Sequence, residues 1–245
     1  MKPEEMNDKL DQLSKRLKLS VLSDYKKHLK PGMSFEEGLI LLLEIEAAAK
    51  ERKSMERRIK NAGFPLIKTL DTFEFDTARL PNLKKEQVLE LSGCEYIRQK
   101  RNVIAIGNSG TGKSHLMTAL GIEAIKRGYH VKFKKASDLV NQMSEAQIDK
   151  QLTRYLKNLN NCHLLIVDEL GYLTFDIQGA SLLFQVFAAR YETKSTIVTT
   201  NLEFSKWVSF LGDPGMSAAL IDRLIHLSTL LNMNGESYRL KNAGR

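Results

Sequence analysis

The chain has 245 residues and a net charge of +8; 42% of its residues are hydrophobic and 27% charged. These proportions are those of a soluble globular protein with room for one large domain, or a medium domain beside a small one. They exclude a membrane-spanning protein, because the most apolar run, residues 39–43, is far too short and leads into Glu44 and Glu46.

The N-terminus, MKPEEMNDKL, is acidic and polar and does not read as a secretory signal. Cys94 and Cys162 have no metal-ligand spacing and read as reduced thiols in or near the core, in keeping with a cytoplasmic location. The positive balance suggests a polyanionic partner, most simply nucleic acid, although a basic but inert surface would give the same total.

Residues 7–29 carry Leu10, Leu13, Leu17, Leu22, Tyr25 and Leu29 at mostly helical spacing, which predicts an amphipathic helix with a break near Ser20. Lys30, Pro31 and Gly32 end it. Ser34 opens a second helix, with Glu37 in capping-box position, that runs to about Lys60. Its first half is apolar. Its second half is basic: Lys50, Arg52, Lys53, Arg57, Arg58 and Lys60. Charge gathered at one end of one helix favours contact with a DNA backbone. The interspersed Glu51 and Glu56 leave a solvated face as the alternative, and a neighbouring subunit is another possible contact. Residues 61–65, NAGFP, read as a boundary between a helical N-terminal domain, residues 1–65, and a second domain, residues 66–245. Phe73 and Phe75 anchor the linker that follows, and short helices are predicted over 84–91 and 95–100.

Residues 102–106, NVIAI, predict a buried strand. Residues 107–114 then read GNSGTGKS and fit the phosphate-loop pattern G-x-x-x-x-G-K-[ST] at every fixed position. Residues 115–127 predict a helix that Gly128 caps. A chance match has a probability of roughly one in a hundred in a chain of this length, and the strand and helix flanks lower it further. Gly107, Gly110 and Gly112 let the backbone turn its N–H groups inward, where they and the helix N-terminus cradle phosphates. Lys113 is expected at the β- and γ-phosphates and Ser114 on Mg²⁺. Asn108, Ser109, Thr111 and His115 complete the expected nucleotide-binding set.

Beyond the loop, strands are predicted over 129–133, 164–167, 196–199 and 227–233. Helices are predicted over 137–145, 149–159, 176–191, 202–210 and 217–226. This alternation predicts an α/β fold: a three-layer core around a five-stranded, mostly parallel sheet. The strand at 164–167 leads at once into Asp168, expected to hold Mg²⁺, and Glu169, expected to polarise the attacking water. Asn201, at the end of the fourth strand, would lie beside the γ-phosphate if that strand sits between the first and third, with Thr200 as the fallback. Arg223 faces outward on its helix, either as a finger for a neighbouring subunit's site or as a surface arginine paired with Asp222.

Together these motifs resemble the AAA+ ATPases of the helicase-loader clade, and within it the IstB-like ATP-binding proteins that assist transposition of IS21-family elements. The stretches that carry the resemblance are ERRIKNAGFP, NVIAIGNSGTGKSHLMTALG, LLIVDELGYL, FAARYE, TIVTTNLEFSKW and AALIDRLIHLSTLLNMNGESYRLK. The resemblance implies an Mg²⁺-dependent ATPase that assembles on double-stranded DNA as a homo-oligomer, with ATP at subunit interfaces, and helps a transposase encoded by the same element to select and engage its target. It implies catalytic roles for Lys113, Glu169, Asn201 and Arg223, and a second arginine near the nucleotide at Arg239. It also implies that the C-terminal helical lid domain of typical AAA+ proteins is absent. A replicative-helicase loader shares this core, and so does a nucleotide-gated DNA scaffold with incidental hydrolysis. The absence of cysteine from residues 1–65 argues against the zinc-bearing subgroup of loaders.

Overall fold

The computed structural model describes residues 2–241. It divides into two compact units, residues 1–57 and 58–245. The division falls slightly earlier than the NAGFP turn.

In the first unit, helix α1 spans Pro3–Leu17 and a 3-10 turn spans Leu22–Lys27. The break between them comes at Lys18, whose φ of 57° stops the helix. Helix α2, Phe35–Ala62, begins in this unit. The predicted capping box is formed: the Ser34 N–H donates to Glu37 Oε2 at 2.8 Å, and the Glu37 N–H to Ser34 Oγ at 3.2 Å. Glu46 is buried on α2, and its Oε2 accepts the Val21 N–H at 2.7 Å, tying the 3-10 turn to the helix.

In the second unit, helices α3 (Lys85–Ser92) and α4 (Glu95–Arg98) lead into strand β1, Asn102–Ile106. Then come α5 (Lys113–Lys126), β2 (Val131–Lys135), α6 (Ala136–Ile148), α7 (Leu152–Asn160), β3 (Leu164–Leu170), α8 (Ile177–Arg190) and β4 (Ser195–Thr200). The remainder is α9 (Val208–Leu211), α10 (Pro214–Ile225), β5 (Ser228–Asn232) and α11 (Tyr238–Lys241). The strand order is β2-β3-β4-β1-β5 and every pairing is parallel, so the sheet is fully rather than mostly parallel. Strand β2 begins two residues later than predicted, because Tyr129 and His130 turn to pack their rings on His163. The helix predicted over 202–210 is instead a 3-10 turn, Phe204–Lys206, followed by the short α9.

Strand alternation builds the layers. Ile104, Leu165, Val167 and Val198 join Leu139, Met143, Leu183, Leu220 and Trp207 in one core beneath α6, α8 and α10. Ile166 points the other way and meets α5 at Gly121. Strands buried on both faces explain the unbroken Val, Ile and Leu runs of the sequence. Arg190 at the end of α8 is also buried; it donates to Ser195 O at 2.7 Å and Thr196 Oγ1 at 3.1 Å, pinning the helix to β4. Both cysteines are buried free thiols. Among the described residues, no helix is long and apolar enough to cross a membrane.

Candidate nucleotide-binding and hydrolytic site

The loop after β1 lies at the carboxyl end of the sheet. Here β1 is flanked by β4 and β5, and the chain's crossovers diverge, so a crevice opens. Gly112 caps α5 with φ 94°, a backbone that favours glycine, and a Cβ there would crowd the ring of Phe73 at 3.0 Å. Phe73 is itself buried and packs edge-on against Phe75, with centroids 4.9 Å apart, so the expected anchoring of the linker is realised. His115 joins in: its Nε2 lies 3.1 Å from Thr69 O and 3.2 Å from Thr72 Oγ1, and burial lowers its pKa. Residues 66–75 are thereby held over the N-terminus of α5. The resulting cleft of about 390 Å³ is within the range of small-molecule sites. Ser109, Gly110, Gly112, Lys113, Ser114 and His115 line it, with Glu169 and Thr199 opposite.

Lys113 lies in the cleft with its ammonium donating to Gly107 O and Asn108 O, both at 2.7 Å. Burial lowers its pKa to about 8, with Asp168 acting to raise it and Arg239 to lower it further. A phosphate raises the pKa of an ammonium it meets, so above about pH 8 nucleotide binding has to draw in a proton. ATP affinity is therefore expected to hold below about pH 7.5 and to fall as pH rises through 8, approaching tenfold per unit. A nucleotide titration at several pH values checks this, and a flat profile up to about pH 9.5 would remove Lys113 from the phosphate site.

Ser114 Oγ donates to Asp168 Oδ1 at 2.9 Å, so the two oxygens expected on Mg²⁺ stand together. A hydroxyl beside a carboxylate suits a hard cation that keeps several waters and bridges to phosphate. Asp168 is buried and is also bonded by Thr199 Oγ1 at 2.5 Å. Thr199 Oγ1 in turn accepts the Glu169 N–H at 2.9 Å. Asp168 and Glu169 do not follow the strand, as the sequence suggested, but lie within β3, across a register shift between Val167 and Leu170. Glu169 has φ 61°, a backbone that costs roughly 1–3 kcal/mol in a residue with a side chain. That bulge re-aims the glutamate out of the strand's alternation. Its carboxylate pairs with Lys135 Nζ at 2.9 Å and thereby raises the lysine's pKa. The two side chains are 39% and 44% exposed, so the pair is screened and readily exchanged.

Strand β4 does sit between β1 and β3, as the Asn201 assignment requires. Asn201 itself falls one residue past the strand's end and is exposed, and it does not line the cleft. Thr200 Oγ1 bonds the Leu202 backbone. The β4 side chain that reaches the carboxylates is Thr199, one residue before the fallback. Arg223 is not turned outward but half-buried: its Nη1 donates to Ala219 O at 2.9 Å, and its guanidinium lies 5.0 Å from the Phe184 ring centroid. Asp222 is not its partner among the described residues. An arginine stem long enough to fold back onto its own helix finds apolar cover there.

The resemblance points to Arg239 near the nucleotide, but residue patterns alone do not show the backbone strap that closes the cleft from the far end of the chain. Residues 233–238 form a strap along the loop. The Met233 N–H donates to Ile106 O at 2.7 Å, the Asn108 side-chain amide to Gly235 O at 3.3 Å, and the Tyr238 N–H to Gly110 O at 3.0 Å. Tyr238 and Arg239, the latter the residue that the resemblance offered as a second arginine, line the cleft. Tyr172, beyond β3, meets Ser109 Oγ at 2.9 Å.

In the first unit, the basic run is partly gathered. Lys50, Lys53 and Arg57 share a groove with Lys15 and Lys18 of the α1 end, two residues the sequence did not single out. Lys53 Nζ donates to Ser20 Oγ at 3.3 Å, and Lys50 lies 3.9 Å from buried Glu46. Arg52 and Lys60 are exposed and outside the groove. Arg58 belongs to the second unit, where its Nη1 donates to Gly128 O at 3.4 Å.

The sequence model of the family described as IstB-like ATP binding protein matches residues 9–245. The ATP-binding protein of insertion sequence IS5376 from Geobacillus stearothermophilus is 41% identical over 86% of this chain and 83% of its own. That of insertion sequence IS21 from Pseudomonas aeruginosa is 38% identical over 95% of this chain and 89% of its own. Among solved structures, the DnaC helicase loader superposes with a TM-score of 0.56 at 22% identity, over 72% of this chain and 98% of its own, a likeness of fold.

Proposed function

The chain belongs to the IstB-like ATP-binding protein family, and from that premise we propose that it hydrolyses ATP, assembles on duplex DNA as an oligomer with ATP at subunit interfaces, and helps the transposase of its own insertion element to engage target DNA. The observation that carries the ATPase reading is the convergence of Lys113, Ser114, Asp168, Thr199 and Glu169 on one cleft. Loop N–H groups and Lys113 hold the phosphates, the ammonium exchanging two carbonyls for phosphate oxygens. Ser114 and Asp168 would hold Mg²⁺, which neutralises phosphate charge when bound.

Thr199 fixes both acids, orienting Asp168 by its hydroxyl hydrogen and Glu169 through the glutamate's own N–H. Glu169 accepts a proton from water as the water oxygen bonds the γ-phosphorus and the bond to the β-phosphate oxygen breaks, giving ADP and phosphate. To do this it has to leave Lys135. Arg223 would serve as a finger only after swinging away from Phe184, in the site of a neighbouring subunit.

The DNA reading rests on the groove of Lys15, Lys18, Lys50, Lys53 and Arg57. Such contacts give affinity without much sequence preference and weaken steeply with salt. Exchanging Lys53 and Arg57 for Glu is expected to weaken duplex binding at least tenfold and to flatten its salt slope by roughly two units, while ATP binding stays unchanged. Fluorescence anisotropy across a salt series reads both numbers; an unaltered slope would take DNA away from this groove.

The whole reading is tested by sedimenting the protein with labelled duplex or single-stranded DNA, with ATP, with ADP or without nucleotide. Large ATP-dependent assemblies on duplex DNA support it. A preference for single strands with weak duplex binding points instead to a helicase loader.

A further inference from the structure

Arg79 is 5% exposed and lines the same cleft as Lys113 and Ser114. Its Nη1 is buried, and among the described residues it has no hydrogen-bond partner and Arg79 forms no ion pair. Buried charges are ordinarily paired, and a lone buried guanidinium nitrogen is costly. The rest of the residue is firmly placed. Its N–H donates to Asp76 Oδ1 at 3.2 Å, its carbonyl accepts the Glu236 N–H at 3.1 Å, and its guanidinium lies 5.3 Å from the Tyr238 ring centroid. The fold thus holds a cation rigidly at the wall of a cleft whose loop is built for phosphate, and leaves one of its donors unused.

We propose that Arg79 is a nucleotide-binding residue whose guanidinium donates to a phosphate oxygen of the bound nucleotide. This rests on the ATP-binding reading and adds a contact outside the loop. Guanidinium is suited to the task, because it stays charged at any working pH and presents parallel donors to an oxyanion. Tyr238 lies against the same guanidinium through its ring. The phosphate would therefore bind a cation that already carries both linker residues 76–80 and the strap residues 236–238.

The position makes an unusual demand on stability. A structural arginine lowers the melting temperature when removed. A cation kept unpaired for a ligand does not, because methionine fills similar space without a buried charge. The test uses the full chain with Arg79→Met and Arg79→Lys, and reads the nucleotide-free melting temperature, the affinity for a fluorescent ATP analogue, and its displacement by inorganic tripolyphosphate.

The expected result for Arg79→Met is a melting temperature equal to or above that of the unaltered protein, with affinity for both ATP and tripolyphosphate down roughly tenfold or more. Arg79→Lys recovers part of that loss. The proposal falls if affinity stays within about twofold, if the nucleotide-free protein melts lower, or if ATP binding drops while tripolyphosphate binding does not, since that outcome places the contact on the nucleoside. If the unaltered protein itself binds no ATP, the ATP-binding reading falls as well. Equal binding by the unaltered protein and Arg79→Met removes Arg79 alone.

Discussion

Replacing Glu169 with glutamine is expected to slow ATP turnover at least a hundredfold while ATP affinity stays within about twofold. The glutamate lies beyond hydrogen-bonding contact with the loop, so it contributes little to holding the nucleotide. It is the cleft's exposed carboxylate nearest the buried Asp168, which Ser114 and Thr199 already occupy. Glutamine has the same shape and fits the same bulged backbone, but its amide does not take a proton from water. It also loses the ion pair with Lys135, which costs little at that exposure. Phosphate release and nucleotide titration measured on the same preparation separate the two quantities. Equal losses in both would mean that Glu169 holds the site together instead of acting on water.

Gly107→Ala should have an effect of another kind. A Cβ on Gly107 would overlap the carbonyl of Met233 and press on the Asn234 nitrogen, all backbone atoms that cannot rotate away. Either the loop or the strap has to move. The expected cost is about 2–3 kcal/mol, the upper part of the range for overpacking a fitted interior, with a melting temperature lower by roughly 5–10 °C. Nucleotide affinity should fall about a hundredfold, because the displaced atoms set the direction of the loop's N–H groups. Gly212→Ala makes a useful contrast, since its φ of 71° is strained for alanine but no atom lies within 4 Å. A melt for Gly107→Ala no lower than that for Gly212→Ala would show that the strap yields easily.

The loop, its flanking strand and helix, and the Asp168–Glu169 pair were legible because local chain geometry dictates them. Glycines at fixed offsets and an apolar run ending in acids need no tertiary knowledge. The sheet was legible from the same apolar runs, whereas the position of β4 between β1 and β3, on which the sensor argument was conditional, comes from the structure. What failed was the fine placement at strand ends. Asn201 and Thr199 differ by two residues, so alternation alone would put them on one face, but β4 stops at Thr200 and Asn201 leaves that face. The apolar stripe of α10 fixes the helix's inner face but not where a side chain as long as that of Arg223 folds. The Lys135–Glu169 pair and the strap over the loop were invisible, since both depend on side chains brought together across the sheet. The basic end of α2 was visible as charge, while its partners Lys15 and Lys18 came from a turn whose geometry rests on one left-handed residue.

The strap has a consequence for how this protein is made. Asn108 and Gly235 meet across 127 residues of chain. Both strands that flank β1, β4 and β5, are also translated after it. A nascent chain that has just emerged past α5 carries the whole phosphate motif with no neighbour on either side of its strand, and therefore no cradle. ATP cannot guide the early steps of folding, and β1 waits as an unpaired edge open to other chains. Ribosome stalling or premature termination before β4 would release a polypeptide that carries the phosphate motif with neither strand that flanks β1, and that tends to aggregate.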